Sequence, residues 1–138
     1  MRICFISDVY QPCFGGIGVS VKNLAEGLST YHDVSVITSG RPFQPHFERV
    51  NGVSVYRCNS LKFPKRNLYF AVPRKYTLKR LMNKMDVVHF HTISPLARLA
   101  YKVARGHGAK LVYTYHIVPE QYSWNSLLGL ATRRYVTH

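Results

Sequence analysis

The chain has 138 residues, 46% of them apolar, enough for one domain with a real core, and its 19 Lys and Arg against 6 Asp and Glu give a formal charge of +13. So basic a surface points to phosphate-bearing partners, whether nucleic acid, an anionic membrane or a nucleotide. Three cysteines without a close pair argue against a disulfide framework, the apolar start before Ser7 and Asp8 is too short for a signal peptide, and no run approaches the roughly 20 apolar residues of a membrane span.

Those exclusions predict a cytoplasmic chain whose only membrane contact is peripheral, at the inner face. Residues 2–7, RICFIS, read as a buried strand by apolar density and β-branching, with Cys4 in its core. Pro12, Gly15, Gly16 and Gly18 crowd the link that follows, where Cys13 is the more exposed thiol. From Ile17 the period changes, and Ile17, Val21, Leu24, Ala25 and Leu28 mark one face of a helix. DVSVITS (33–39) and VSVYRC (53–58) predict strands joined by a proline-rich loop or small excursion, with Asn51-Gly52 as a turn before the second.

The stretch from Lys62 to Lys84 carries Lys65, Arg66, Arg74, Lys75, Lys79 and Arg80 and no acidic residue. Leu78, Leu81, Met82 and Met85 predict a helix after Pro73, leading into the strand DVVHFH (86–91). Ser94-Pro95 has the signature of an N-cap and first-turn proline; Leu96, Leu99, Ala100 and Val103 continue at helical spacing until Gly106 and Gly108. AKLVYTYH from Ala109 predicts a further strand, and the stretch containing Trp124, Leu127, Leu128 and Ala131 a last helix.

Strands alternating with helices imply right-handed βαβ units, hence an α/β fold with a Rossmann-like parallel sheet covered by helices on both faces. Such sheets bind ligands beyond the carboxyl ends of their strands. The glycine link, HFHTISP and YTYH all fall there. Glycines before a helix let a ligand approach the main chain, and the free amides of the first turn favour an anion. The spacing is neither a GxGxxG fingerprint nor a P-loop, and a βα turn using glycine for steric reasons alone is the competing reading. His89 and His91, alternating along a strand, are expected on opposite faces and unable to share a metal, with His91 the better site candidate; His116 also ends a strand. The basic stretch reads either as a solvated surface or, with Leu68, Tyr69, Phe70 and Val72 among its charges, as a contact for an anionic bilayer through Lys65, Arg66, Arg74, Lys75, Lys79 and Arg80. Nucleic acid is the weaker partner, for want of a helix-turn-helix, zinc-finger or aromatic-sheet signature.

Taken in order, ICFISDVYQPCFGGIGVSVKNLAEGLS, HDVSVITS and DVVHFHTISPLARLAYKVARGHGAKLVYTYH resemble the amino-terminal, acceptor-side domain of the retaining GT-B glycosyltransferases of family 4, with a leaning to phosphatidylinositol-directed members. The resemblance implies transfer from a nucleotide-sugar to a lipid or saccharide acceptor, with no metal or other cofactor. It implies that Gly15 and Gly16 lie over the donor pyrophosphate and acceptor, that His116 contacts the transferred sugar or acceptor as the catalytic position, and that His91 lies nearby in a varying role. Glu120 is a further candidate for an acceptor hydroxyl, and an exposed loop acid is its competing reading. The basic stretch matches the region that docks on membranes in lipid-modifying members. Family members hold most of the nucleotide-sugar in a carboxyl-terminal domain, so residues 1–138 are expected to be a single domain lacking that donor-binding half and needing it as a further domain or a second subunit. The alternative is a stand-alone domain that binds anionic membrane or nucleic acid without turnover.

Overall fold

The computed structural model describes residues 1–12, 15–64 and 69–116. Its eleven elements, in chain order, are β1 (Arg2–Ile6), α1 (Gly16–Ser29), β2 (Asp33–Ser39), β3 (Phe47–Val50), β4 (Val53–Cys58), β5 (Ser60–Lys62), β6 (Tyr69–Ala71), α2 (Lys75–Met82), β7 (Val87–Phe90), α3 (Pro95–Arg105) and β8 (Lys110–Tyr113). Six strands form one sheet in the order β3-β4-β2-β1-β7-β8, parallel throughout except for the β3/β4 pair. The chain builds outward from β1 through β2 and β4, then returns to lay β7 and β8 on the other side. Strand order therefore reverses between β1 and β7, which opens a crevice at their carboxyl ends.

Side-chain alternation along the strands sorts the core into two layers. Phe5, Val34, Val36, Val53 and Val55 face Val21 and Ala25 of α1. On the opposite face Cys4, Ile6, Ile37, Val88 and Phe90 pack with Leu78 and Met82 of α2 and Leu96, Ala100 and Val103 of α3. Helices thus cover both faces, as the alternating pattern requires. Burial pushes the Cys4 thiol up to about 12 and that of Cys58 to about 11, so both stay protonated at neutral pH. Cys13 lies outside the described residues.

The expected helix start at Ser94 is present: its side chain accepts from the Ala97 amide at 3.2 Å, with Pro95 in the first turn. Two elements go beyond what the pattern predicts. The loop between the second and third predicted strands contains β3, which pairs antiparallel with β4 across a turn where Asn51 and Gly52 have φ of 50° and 80°. Because β3 is an edge strand with Phe47 exposed, it lacks the buried alternation that marks a strand in sequence. Overlapping the start of the basic stretch, β5 and β6 form a small antiparallel hairpin, Leu61 opposite Phe70, whose three-residue strands are too short to show a period. The Ser60 hydroxyl donates to the Gly40 carbonyl and ties this hairpin to the end of β2.

Candidate functional site

A cavity of about 740 Å³ occupies the crevice beyond β1, β2, β7 and β8, and the hairpin residues Tyr69 and Phe70 form one wall. Gly15, Gly16, His91 and His116 all line it. Residues far apart in the chain and singled out for separate reasons therefore meet at one place.

At its floor lies Asp8, two residues beyond β1. One carboxylate oxygen, Oδ1, accepts from the Ser39 hydroxyl at 2.9 Å and the Ala71 amide at 3.4 Å; the other accepts from the Thr92 hydroxyl at 2.9 Å. Asp8 thus ties together the ends of β1 and β2, the start of the segment after β7, and the hairpin. It is a brace for the cavity, since its oxygens are already engaged by neutral donors.

Above it, α1 points its amino terminus into the cavity. Gly15 is the N-cap, with φ −176° and ψ 154°, extended backbone that any residue adopts, and no side chain caps the helix. A Cβ built on Gly15 or Gly16 would meet nothing within 4 Å. Neither backbone conformation at the cap nor packing demands glycine here, so the purely steric reading of the bare link fails at these two positions. What their small size preserves is open space over the first-turn amides, the geometry that admits an anion.

The histidines depart from expectation. Residues two apart on a strand share a face, because the side-chain period is two, and the assignment of His89 and His91 to opposite faces is overturned. Their ring centroids are 4.2 Å apart, and Phe5 of the α1 face touches both, at 5.3 and 5.5 Å. In the parallel β7/β8 pair His89 stands opposite Val112, which puts Thr114 and His116 on the same face, diagonally ahead. His89 Nε2 and Thr114 Oγ1 are 2.7 Å apart; His91 Nδ1 and His116 Nε2 are 2.8 Å apart. Desolvation, and then the neighbouring imidazoles His89 and His116, depress His91 to about 4, and desolvation followed by His116 depresses His89. Both are therefore neutral at pH 7. Although three imidazoles adjoin, no group of three His, Cys, Asp or Glu among the described residues is placed to hold a metal ion.

Two arginines complete the surroundings. Arg41 lines the cavity, its guanidinium carbon 5.1 Å from the centre of the Tyr69 ring. Arg57, only 6% exposed, ion-pairs with Glu48 and donates from Nη2 to the Gln11 carbonyl at 3.1 Å, anchoring the segment that leads into the glycine link. Sequence reasoning missed Asp8, Ser39, Thr92 and Arg41. The available signal was their common position just past or at the carboxyl end of a parallel strand.

Arg74, Lys75, Lys79 and Arg80 do not line the cavity; they stand exposed on and before α2, and none is ion-paired among the described residues. Near them in sequence, Leu61, Phe63, Val72 and Tyr76 are also exposed. Lys65, Arg66 and Glu120, and the predicted last helix, lie outside the described residues.

The profile described as Glycosyltransferase Family 4 matches residues 14–137. The chain is 35% identical over 128 residues to alpha-monoglucosyldiacylglycerol synthase of Acholeplasma laidlawii, covering 89% of this chain and 31% of that protein. It is also 35% identical over 97 residues to an uncharacterized glycosyltransferase of Methanocaldococcus jannaschii, covering 66% of this chain and 25% of that one. The chain thus spans between a quarter and a third of the length of these curated relatives. Among solved structures, sucrose-phosphate synthase from Thermosynechococcus elongatus superposes with a TM-score of 0.65 at 20% identity, over 99% of this chain and 39% of that one, a likeness of fold.

Proposed function

Because the chain belongs to glycosyltransferase family 4 and has the Rossmann-like fold of a GT-B amino-terminal half, we propose that it supplies the acceptor side of an enzyme that moves a sugar from a nucleotide-sugar to a lipid or saccharide acceptor with retention of configuration. The observation that carries this reading is the open backbone of Gly15 and Gly16 at the amino terminus of α1, facing the cavity that also holds His91 and His116. In the proposed reaction the bond from the sugar's anomeric carbon to the diphosphate oxygen breaks and the bond to the acceptor oxygen forms. The acceptor's hydroxyl proton passes to the departing phosphate. First-turn amides of α1 stabilise that phosphate as charge develops, and His116 orients the sugar or the acceptor hydroxyl. The nucleoside is assigned to a second, donor-binding domain or subunit.

A lipid acceptor is favoured over a free saccharide by the hairpin, which turns Tyr69 and Phe70 to the cavity while Leu61, Phe63 and Val72 are exposed. With Arg74, Lys75, Lys79 and Arg80 unpaired beside it, this face suits peripheral contact with an anionic bilayer. Among the described residues no helix is long and apolar enough to cross a membrane. A stand-alone domain that binds nucleic acid or membrane without turnover is not favoured.

Transfer from labelled nucleotide-sugars, assayed with the donor-binding half supplied, tests the reading. His116→Ala is expected to lower transfer about a hundredfold while the unfolding transition stays in place. Undiminished transfer would remove His116 from the site.

A further inference from the structure

The 2.8 Å contact between His91 Nδ1 and His116 Nε2 requires one nitrogen to donate and the other to accept. The far side of the His91 ring decides which. His91 is 3% exposed, and its Nε2 is buried without a hydrogen-bond partner among the described residues. A neutral imidazole carries one N–H. Were it on Nε2, the fold would bury an N–H with no acceptor, whereas a proton on Nδ1 leaves only an unused lone pair there. Orphaned buried N–H groups are the rarer and costlier of the two.

The proton therefore belongs on His91 Nδ1, which donates to His116 Nε2. His116, accepting at Nε2, carries its own proton on Nδ1 in its neutral form. That nitrogen has no partner among the described residues, and the side chain lines the cavity. His89 supports the arrangement from behind, its ring tilted by 39° against the His91 ring at 4.2 Å between centroids and held by Thr114.

We propose that His91 is a positioning residue that sets His116 in the Nδ1–H tautomer, so that His116 meets its ligand as a hydrogen-bond donor to an oxygen and not as a base that takes a proton. The assignment of the ligand as sugar or acceptor rests on the function proposed above; the tautomer does not. A base aimed at the acceptor hydroxyl would need a free lone pair on the nitrogen facing the cavity, and this arrangement removes it. The group opposite His116 must then offer an acceptor atom, such as a hydroxyl or phosphoryl oxygen.

Long-range nitrogen–proton correlation spectra of the 15N-labelled 138-residue chain at neutral pH read each tautomer directly. Signals are assigned by their disappearance in His116→Ala and His91→Phe. The expected spectrum shows Nδ1 protonated and Nε2 unprotonated in both rings, opposite to the Nε2–H form that free imidazole side chains prefer. His91→Phe should return His116 to Nε2–H, and His91→Asn, whose amide nitrogen stands near the position of Nδ1, should restore Nδ1–H. An Nε2–H signal for His116 in the unsubstituted chain, or no exchange of its two nitrogen shifts in His91→Phe, overturns the proposal whatever the transfer assay gives. The expected tautomer together with undiminished transfer in His116→Ala would instead overturn the assigned ligand and leave the role of His91 standing.

Discussion

The crevice at the strand ends and the exposed face formed by the hairpin and α2 hold polar side chains in opposite ways. In the crevice the polar side chains at the strand ends pair with one another: Asp8 takes Ser39, Thr92 and the Ala71 amide, His91 takes His116, and His89 takes Thr114. On the exposed face Arg74, Lys75, Lys79 and Arg80 project into solvent without an ion pair among the described residues. A network of short hydrogen bonds fixes direction and can orient one bond of one ligand. Unpaired surface charge fixes only a field, which attracts an anionic surface in any orientation and weakens with salt. The first arrangement suits chemistry and the second suits docking.

That contrast breaks most visibly at Asp8. Asp8→Ala would leave two hydroxyls and an amide without their acceptor and should cost about 3 kcal/mol in urea unfolding; a loss below about 0.5 kcal/mol would mean the crevice is no better braced than the surface. A smaller effect comes from pH. His91 in the folded chain lies at about 4, below the ordinary 6.5, so the unfolded chain binds more protons between those values. Stability contributed by the neutral ring is fully present above pH 6.5 and is lost as pH falls through 4, with His89 adding in the same direction. Between pH 7 and pH 5 the loss should be on the order of 1–2 kcal/mol, and His91→Phe should flatten that part of the profile.

Gly16→Val sharpens the contrast further, because a Cβ at this position meets nothing within 4 Å. Transfer in the completed enzyme should fall at least about tenfold, about 1.4 kcal/mol in the barrier, beyond the roughly 1 kcal/mol that a β-branched substitution near a helix start changes in stability. Equal transfer would show that the space over the first turn is unused. Smallest of all, Lys79→Ala should weaken binding to anionic vesicles about fivefold at low salt, leave neutral vesicles unaffected, and move unfolding by less than about 0.5 kcal/mol. A strong effect on stability would move Lys79 from the docking face into the fold.

Legibility followed the range of the interactions. Val21 and Ala25 under α1, and Leu96, Ala100 and Val103 under α3, announce themselves through a period that any helix on a sheet must obey. Gly15, Gly16, His91 and His116 were visible as residue types at strand ends, where parallel sheets open to ligands. Asp8 stood in plain view just past a strand end, but that position alone does not tell that its carboxylate is braced by residues 31 and 84 positions away. The hairpin at Ser60–Lys62 and Tyr69–Ala71 escaped notice because strands of three residues carry no period.

By itself the amino-acid sequence determined the α/β layering, the helix starts, the absence of a long apolar span and the family, all of which rest on periodicity, turn chemistry and residue order along the chain. Only the tertiary structure decided that His116 comes to meet His91, that Asp8 closes the crevice floor, and that a buried Nε2 sets the proton on the other side of His91. The physical reason is that a side chain's period places it on a face, whereas its proton and its partner depend on strand pairing and on which of its atoms water can still reach.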